Sequence, residues 1–197
     1  MKMLLTAYEP FDNRNTNASY EIVKTFPCQL DDILIEKTTL PVIYDYSVYE
    51  QLFEQYDVDV LILCGEAAKR EKISLEVVSI NCMYAFIPDN QGVMMTGQKV
   101  LLSGPDAYFS NLDLFKIEAL IQNDQLNLSF SAGTYICNFG YYASLSLIEK
   151  SNRNTLCCFV HFPLLKETEP EGKITMDEGV EMLEAIIKAI YLQITMK

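Results

Sequence analysis

The chain has 197 residues, 50% of them apolar, 11% aromatic and 21% charged, which is the composition of an ordinary soluble globular domain. A chain of this length buries roughly 70% of the surface it exposes when unfolded, so a core forms without disulfides or metals, and disordered and small-scaffold classes are excluded. With 15 Lys and Arg against 27 Asp and Glu the net charge is −12, which disfavours nucleic-acid partners.

No repeat, low-complexity tract or linker interrupts the sequence, and a single domain over 1–197 is expected. The longest apolar runs, Val58–Cys64 and Ala185–Leu192, fall far short of the roughly 20 residues that cross a bilayer, so no membrane span is expected. Met1–Ala7 lacks the apolar run and small-residue cleavage site of a signal peptide, which points to the cytoplasm. The 6 cysteines lack the spacing of a disulfide framework or of paired zinc knuckles and are expected to be reduced thiols. The only histidine, His161, excludes His-rich metal sites, so no metal is expected.

In chain order, strands are predicted at Lys2–Thr6, Ile33–Thr39, Val58–Cys64, Ile73–Ile80, Leu128–Ile136 and Thr155–Val160. Several are apolar on both faces, as strands buried between two helical layers must be. Between them, helices are predicted at Ser19–Lys24, Ser47–Tyr56, Leu112–Asn123 and Asn138–Lys150. A last helix opens on the capping box Thr175–Glu178, and its Val180, Leu183, Ile187, Ile190 and Tyr191 form one apolar stripe. The sum is a three-layer α/β fold, an open twisted mixed or parallel sheet with helices on both faces.

In such sheets ligands bind beyond the carboxyl ends of the strands, which directs attention to Ala7–Phe11, Gly65–Arg70, Cys137 and His161. Gly65–Arg70 has one glycine and neither Walker nor dinucleotide spacing, so no nucleotide cofactor is implied. Cys137 falls between a predicted strand and a predicted helix. There the helix N–H groups and dipole favour a thiolate and would hold an oxyanion; the alternative is a small buried hydrophobe. His161 ends a strand and is the only imidazole available as a base for that thiol, although a structural role is open to it as well. Strand alternation sets Glu76 on one face with Val78 and Ile80. A carboxylate on an apolar face needs a partner, and an imidazolium would serve; the alternative is an edge strand whose Glu76 faces water.

Ordered blocks along nearly the whole chain resemble the pyroglutamyl-peptidase I (pyrrolidone-carboxylate peptidase) family of cysteine peptidases. Thr6–Phe11 is similar to TGFEPF, Asn17-Ala18-Ser19 to NPS, Glu76–Asn81 to ERVAIN and Ile87–Gly92 to IPDNxG. Leu40-Pro41-Val42 lies between them, and Gly104–Ser110 is similar to GPAAYFS, Ala132–Asn138 to AGTFVCN and Val160–Pro163 to IHVP. The resemblance implies a phosphorylase/hydrolase-like version of the fold and a catalytic cysteine, histidine and glutamate at Cys137, His161 and Glu76. It implies removal of an N-terminal pyroglutamyl residue from peptides through a thioester, without a cofactor, by a homotetramer. Tyr8 and Phe11 would face the lactam ring.

Several residues depart from the pattern. Glu66 stands where GQAGGR has glutamine, which changes a donor to the ring, and Phe86 replaces the arginine before IPDN, which removes a cation near the thiol. Phe139 replaces a histidine, Gly140 a larger apolar residue and Asp12-Asn13 a Gly-Gly turn, so a rebuilt pocket rim is expected. These changes keep open a noncatalytic relative that binds a small lactam-like ligand, and a cysteine amidohydrolase of another amide. The apolar residues Val93, Met94, Met95, Val100, Leu101 and Leu102 would serve either as contact surface between copies or as core.

Overall fold

A computed structural model describes residues 1–196. In chain order the elements are β1 (Lys2–Tyr8), α1 (Ala18–Thr25), β2 (Gln29–Leu30), β3 (Ile33–Leu40), α2 (Ser47–Gln55) and β4 (Val60–Glu66). They continue with β5 (Ile73–Glu76), β6 (Val78–Ile80), β7 (Met83–Tyr84), β8 (Thr96–Gln98), β9 (Ala107–Phe109) and α3 (Leu114–Ile121). Last come β10 (Leu126–Ser129), α4 (Ile136–Ser151), β11 (Leu156–Phe162) and α5 (Met176–Thr195).

Seven strands form one sheet in the order β10-β5-β11-β4-β1-β3-β2. The ladder is parallel except where β5 meets β11 and β2 meets β3. The apolar central strands are buried on both faces because each face carries a helical layer. Helices α1, α3 and α5 share one core with Leu5, Ile62 and Val160, while α2 and α4 share the other with Leu4, Leu63 and Phe159. The predicted stripe on α5 is core: Leu183, Ile187 and Ile190 are fully buried and the Thr175–Glu178 capping box is formed in both directions.

Two predicted strands end early. Ile73–Ile80 is cut at Val77, whose N–H bonds to Ser129 and whose carbonyl takes Ser110, so β5 stays in the large sheet and β6 pairs with β9 instead. Val78 and Ile80 therefore do not continue the face of Glu76. β5 is an interior strand, and Glu76 is fully buried rather than turned to water from an edge. Leu128–Ile136 leaves the sheet after Ser129, where the Ser129 hydroxyl donates to the Ser131 carbonyl and accepts from the Ser131 N–H, and Gly133 takes φ 77°. A left-handed residue breaks a ladder, and helix α4 then begins at Ile136, before Cys137 rather than after it. Val93, Met94 and Leu102 are exposed, while Met95 and Val100 pack on the core.

Candidate active site

Strand parity puts the chemistry on the α4 face. On β11, His161 shares its side with Cys157 and Phe159, which lie in the core under α2 and α4; on β5, Leu75 and Val77 belong to the opposite core, so Glu76 turns toward His161. β5 and β11 are antiparallel neighbours, with His161 opposite Ser74. The outcome is a contact of 2.6 Å between His161 Nδ1 and Glu76 Oε1, both side chains buried. With the Nδ1 proton donated to the carboxylate, Nε2 is the free acceptor.

Cys137 approaches from above the sheet. It is the second residue of α4, after Tyr135, which caps the helix with extended backbone and no side-chain bond. The N–H groups of this first turn have no intrahelical acceptor. Its sulfur stands directly over Gly65: a methyl there would lie 2.8 Å from Sγ and 2.8 Å from Phe159 Cζ. Gly65 is the register partner of His161 on the adjacent strand, so the thiol stands over the strand next to the imidazole, in space that residue 65 leaves by having no side chain. Asn138 holds the helix end in place, donating to the carbonyls of Ile80 and Cys82 and accepting from Ile80 N–H.

A cavity of about 600 Å³ opens onto this pair. Its lining includes the apolar and aromatic residues Tyr8, Phe11, Val42, Ile87 and Tyr135 and the charged residues Asp12, Arg14, Glu66, Lys69 and Arg70. Cys137 and His161 lie on its lining. Asp12 and Asn13 adopt φ of 55° and 59°, so the turn keeps the left-handed backbone that glycines would take freely, and Asp and Asn tolerate it better than most residues. Asn90 fastens the rim by donating its backbone N–H to Val42 and its side-chain amide to Pro10.

Burial pushes the Cys137 thiol up to about 12, helped by the charges of Glu76 and Glu66 and opposed by Arg70 and by the residue's own N–H. Burial also lowers His161 from its ordinary value of 6.5, against the upward pull of Glu76. Both shifts favour the uncharged thiol and the uncharged imidazole. The helix N-terminus does not by itself produce a standing thiolate.

Glu66 is not a free ring contact. Its Oε1 takes Arg14 at 2.8 Å and its Oε2 takes the Ala18 N–H at 2.7 Å, so one oxygen holds the loop before α1 and the other the first residue of the helix. Burial raises this carboxyl, and those two partners pull it back down. Phe86 does not come to the site. It is 87% exposed, packs edge-on to Tyr84 at 5.2 Å and is absent from the cavity lining. Phe139 and Gly140 also lie behind the cavity rather than on its rim, with Phe139 edge-on to Tyr44 at 5.5 Å and to Tyr49 at 5.8 Å.

The residue that sequence reasoning missed is Arg70. Its guanidinium sits 2.5 Å from Glu76 Oε1 and donates to the Ser131 carbonyl at 3.0 Å, so one cation ties the loop after β4, the buried carboxylate and the approach to α4. The available signal was a basic residue just past the carboxyl end of a central strand, beside a buried glutamate that needed a counter-charge.

A family model described as pyroglutamyl peptidase matches residues 1–196. The chain belongs to the pyroglutamyl peptidase family. It is 37% identical to the pyrrolidone-carboxylate peptidase of Thermosipho melanesiensis over 167 residues, 83% of each chain. It is 36% identical to that of Brachyspira hyodysenteriae, over 95% of this chain and 98% of the relative. Among solved structures, a mutant pyrrolidone carboxyl peptidase from Pyrococcus furiosus superposes with a TM-score of 0.92 at 26% identity, covering 98% of this chain and 100% of that one. Pyroglutamyl peptidase I of Bacillus amyloliquefaciens gives 0.89 at 25% identity, with 96% of each chain covered. The three-layer α/β architecture is thus the family's own. No helix among the described residues is long and apolar enough to cross a membrane.

Proposed function

We propose that this chain is a cysteine peptidase that removes an N-terminal pyroglutamyl residue from peptides, with Cys137 as nucleophile, His161 as acid and base, and Glu76 orienting His161. The observation that carries this is the 2.6 Å contact between His161 and the buried Glu76, together with a thiol held over Gly65, with the thiol and the imidazole on the lining of one cavity. Cys137 Sγ attacks the pyroglutamyl carbonyl carbon as its proton passes to His161 Nε2. The tetrahedral oxyanion is met by the N–H groups of the first turn of α4. His161 then protonates the departing amine, the C–N bond breaks and a thioester remains. Water, deprotonated by the same nitrogen, attacks the thioester, the C–S bond breaks, and pyroglutamate and the thiol are released.

Tyr8 and Phe11 face a neutral lactam from the apolar part of the lining, where a small number of polar groups suffice to orient it. Arg70 is a positioning residue: it holds Glu76 and balances the charge that forms at sulfur. The scheme needs no metal or cofactor. We assign the activity to a single domain in the cytoplasm, assembled as a homotetramer like the family it resembles.

The test is hydrolysis of a fluorogenic pyroglutamyl amide. Wild type should turn it over, and Cys137→Ser and His161→Ala should each abolish turnover; activity surviving both changes sinks the assignment. The buried Glu66–Arg14 pair on the cavity wall favours one competing reading, a cysteine amidohydrolase of a different amide. Product analysis over a panel of lactams and amides separates the two.

A further inference from the structure

Gly140 lies inside α4, where glycine is less favourable than alanine. The helix surface at this position is occupied by two phenols. A methyl on residue 140 would fall on the hydroxyl oxygens of both Tyr8 and Tyr49 and lie 2.6 Å from Tyr49 Cζ. Those hydroxyls are hydrogen-bonded to each other at 3.0 Å, and the two residues are only 2% and 1% exposed.

The Tyr8 hydroxyl is therefore taken up by Tyr49 and the helix surface, while Tyr8 also stands on the cavity lining. The ring stacks on Phe159, with centroids 6.4 Å apart at 25°, and Phe159 lies 4.7 Å from the His161 ring and beneath Gly65. A displaced Tyr8 would narrow the cavity at the wall that its ring forms.

We propose that Gly140 and Tyr49 form a notch that seats the Tyr8 hydroxyl and so fixes the width of the apolar slot for the lactam ring. Gly140 and Tyr49 are thus specificity-determining residues that never touch substrate. The inference rests on the peptidase assignment above, because it takes Tyr8 as a wall of the substrate slot. Separating the paired hydroxyls would orphan a buried phenol, so the pair stays seated in the notch. With Tyr49 fully buried on its other side, a side chain at 140 drives the Tyr8 ring toward the cavity.

The test is a steric cycle, read with a pyroglutamyl amide and with the rate of Cys137 alkylation. Gly140→Ala should lower kcat/KM by about tenfold to a hundredfold, mostly through KM, while the alkylation rate holds. Adding Tyr8→Phe and Tyr49→Phe to Gly140→Ala removes both oxygens. It should restore most of the kcat/KM lost by Gly140→Ala, measured against the Tyr8→Phe/Tyr49→Phe double variant, the remainder coming from the 2.6 Å approach to the ring carbon of residue 49. An unchanged KM in Gly140→Ala overturns the proposal, as does a triple variant no better than Gly140→Ala. If Gly140→Ala does not fold, the triple variant decides: recovery of fold and kcat/KM upholds the notch, and an inactive folded triple variant overturns it. A wild type inert toward pyroglutamyl amides refutes the peptidase assignment itself, a separate outcome from failure of the cycle.

Discussion

The two faces of the sheet are built from different materials. Under α1, α3 and α5 the core is mainly aliphatic, with Leu183, Ile186, Ile187 and Ile190 packed on the strands. Under α2 and α4 it is rich in rings, including Tyr8, Tyr49, Phe139, Tyr141 and Phe159. Aliphatic side chains fill space at no polar cost, so the first face holds the fold together. Rings with polar ends hold atoms at set positions, and the second face carries the carboxylate, the imidazole and the thiol. The partition shows stability and chemistry drawing on opposite sides of the same strands, one residue apart.

The sharpest way to break this comparison is to change one residue on each face. Glu76→Gln keeps the shape of the side chain but hands His161 the wrong tautomer, and kcat/KM should fall by about 10³–10⁴ in steady-state assays. Leu183→Ala, on the other face, should cost about 3 kcal/mol in urea unfolding and leave kcat/KM of the folded enzyme unchanged. A catalytic defect in Leu183→Ala would show that the faces are coupled.

Smaller effects sharpen the comparison. Because burial lowers His161 below 6.5, the acid limb of kcat/KM should lie below that value: the imidazole must be neutral to accept the thiol proton, and activity disappears as it protonates. The unfolded chain binds that proton at the higher pH, so stability also declines as pH falls below about 6.5. Arg70→Met removes a charge that lowers both His161 and Cys137. Its acid limb should move to higher pH and the alkylation of Cys137 should slow; an unmoved limb would leave Arg70 a purely structural tie. The least effect is expected from Thr175→Ala, which opens the capping box of α5 at a cost of about 1 kcal/mol in thermal unfolding and leaves kinetics unaltered.

Much of this was legible in the residues. Apolar periodicity located the helices and the parallel core strands, because burial on one stripe or on both faces leaves a pattern that needs no knowledge of neighbours. His161 stood out because it had no competitor, and Glu76 because a carboxylate within an apolar strand needs a partner. Other features were not readable along the chain. The break at Val77 depends on bonds to Ser129 and Ser110, residues distant in sequence. Arg70 becomes informative only when the loop after β4 is folded back over Glu76. Phe86, which sequence comparison set beside the thiol, is on the surface, and Glu66, which it set against the ring, holds the start of α1.

Sequence by itself determined the layer architecture, the single histidine and a cysteine near a helix start, since each follows from local pattern or from the absence of alternatives. Tertiary structure decided what those groups do to one another. It set a thiol over Gly65, closed His161 onto Glu76 and raised the thiol by burial. It also turned two hydroxyls into the space left by Gly140. Distances and desolvation arise only when separate segments share one volume, and the linear order of residues does not contain them.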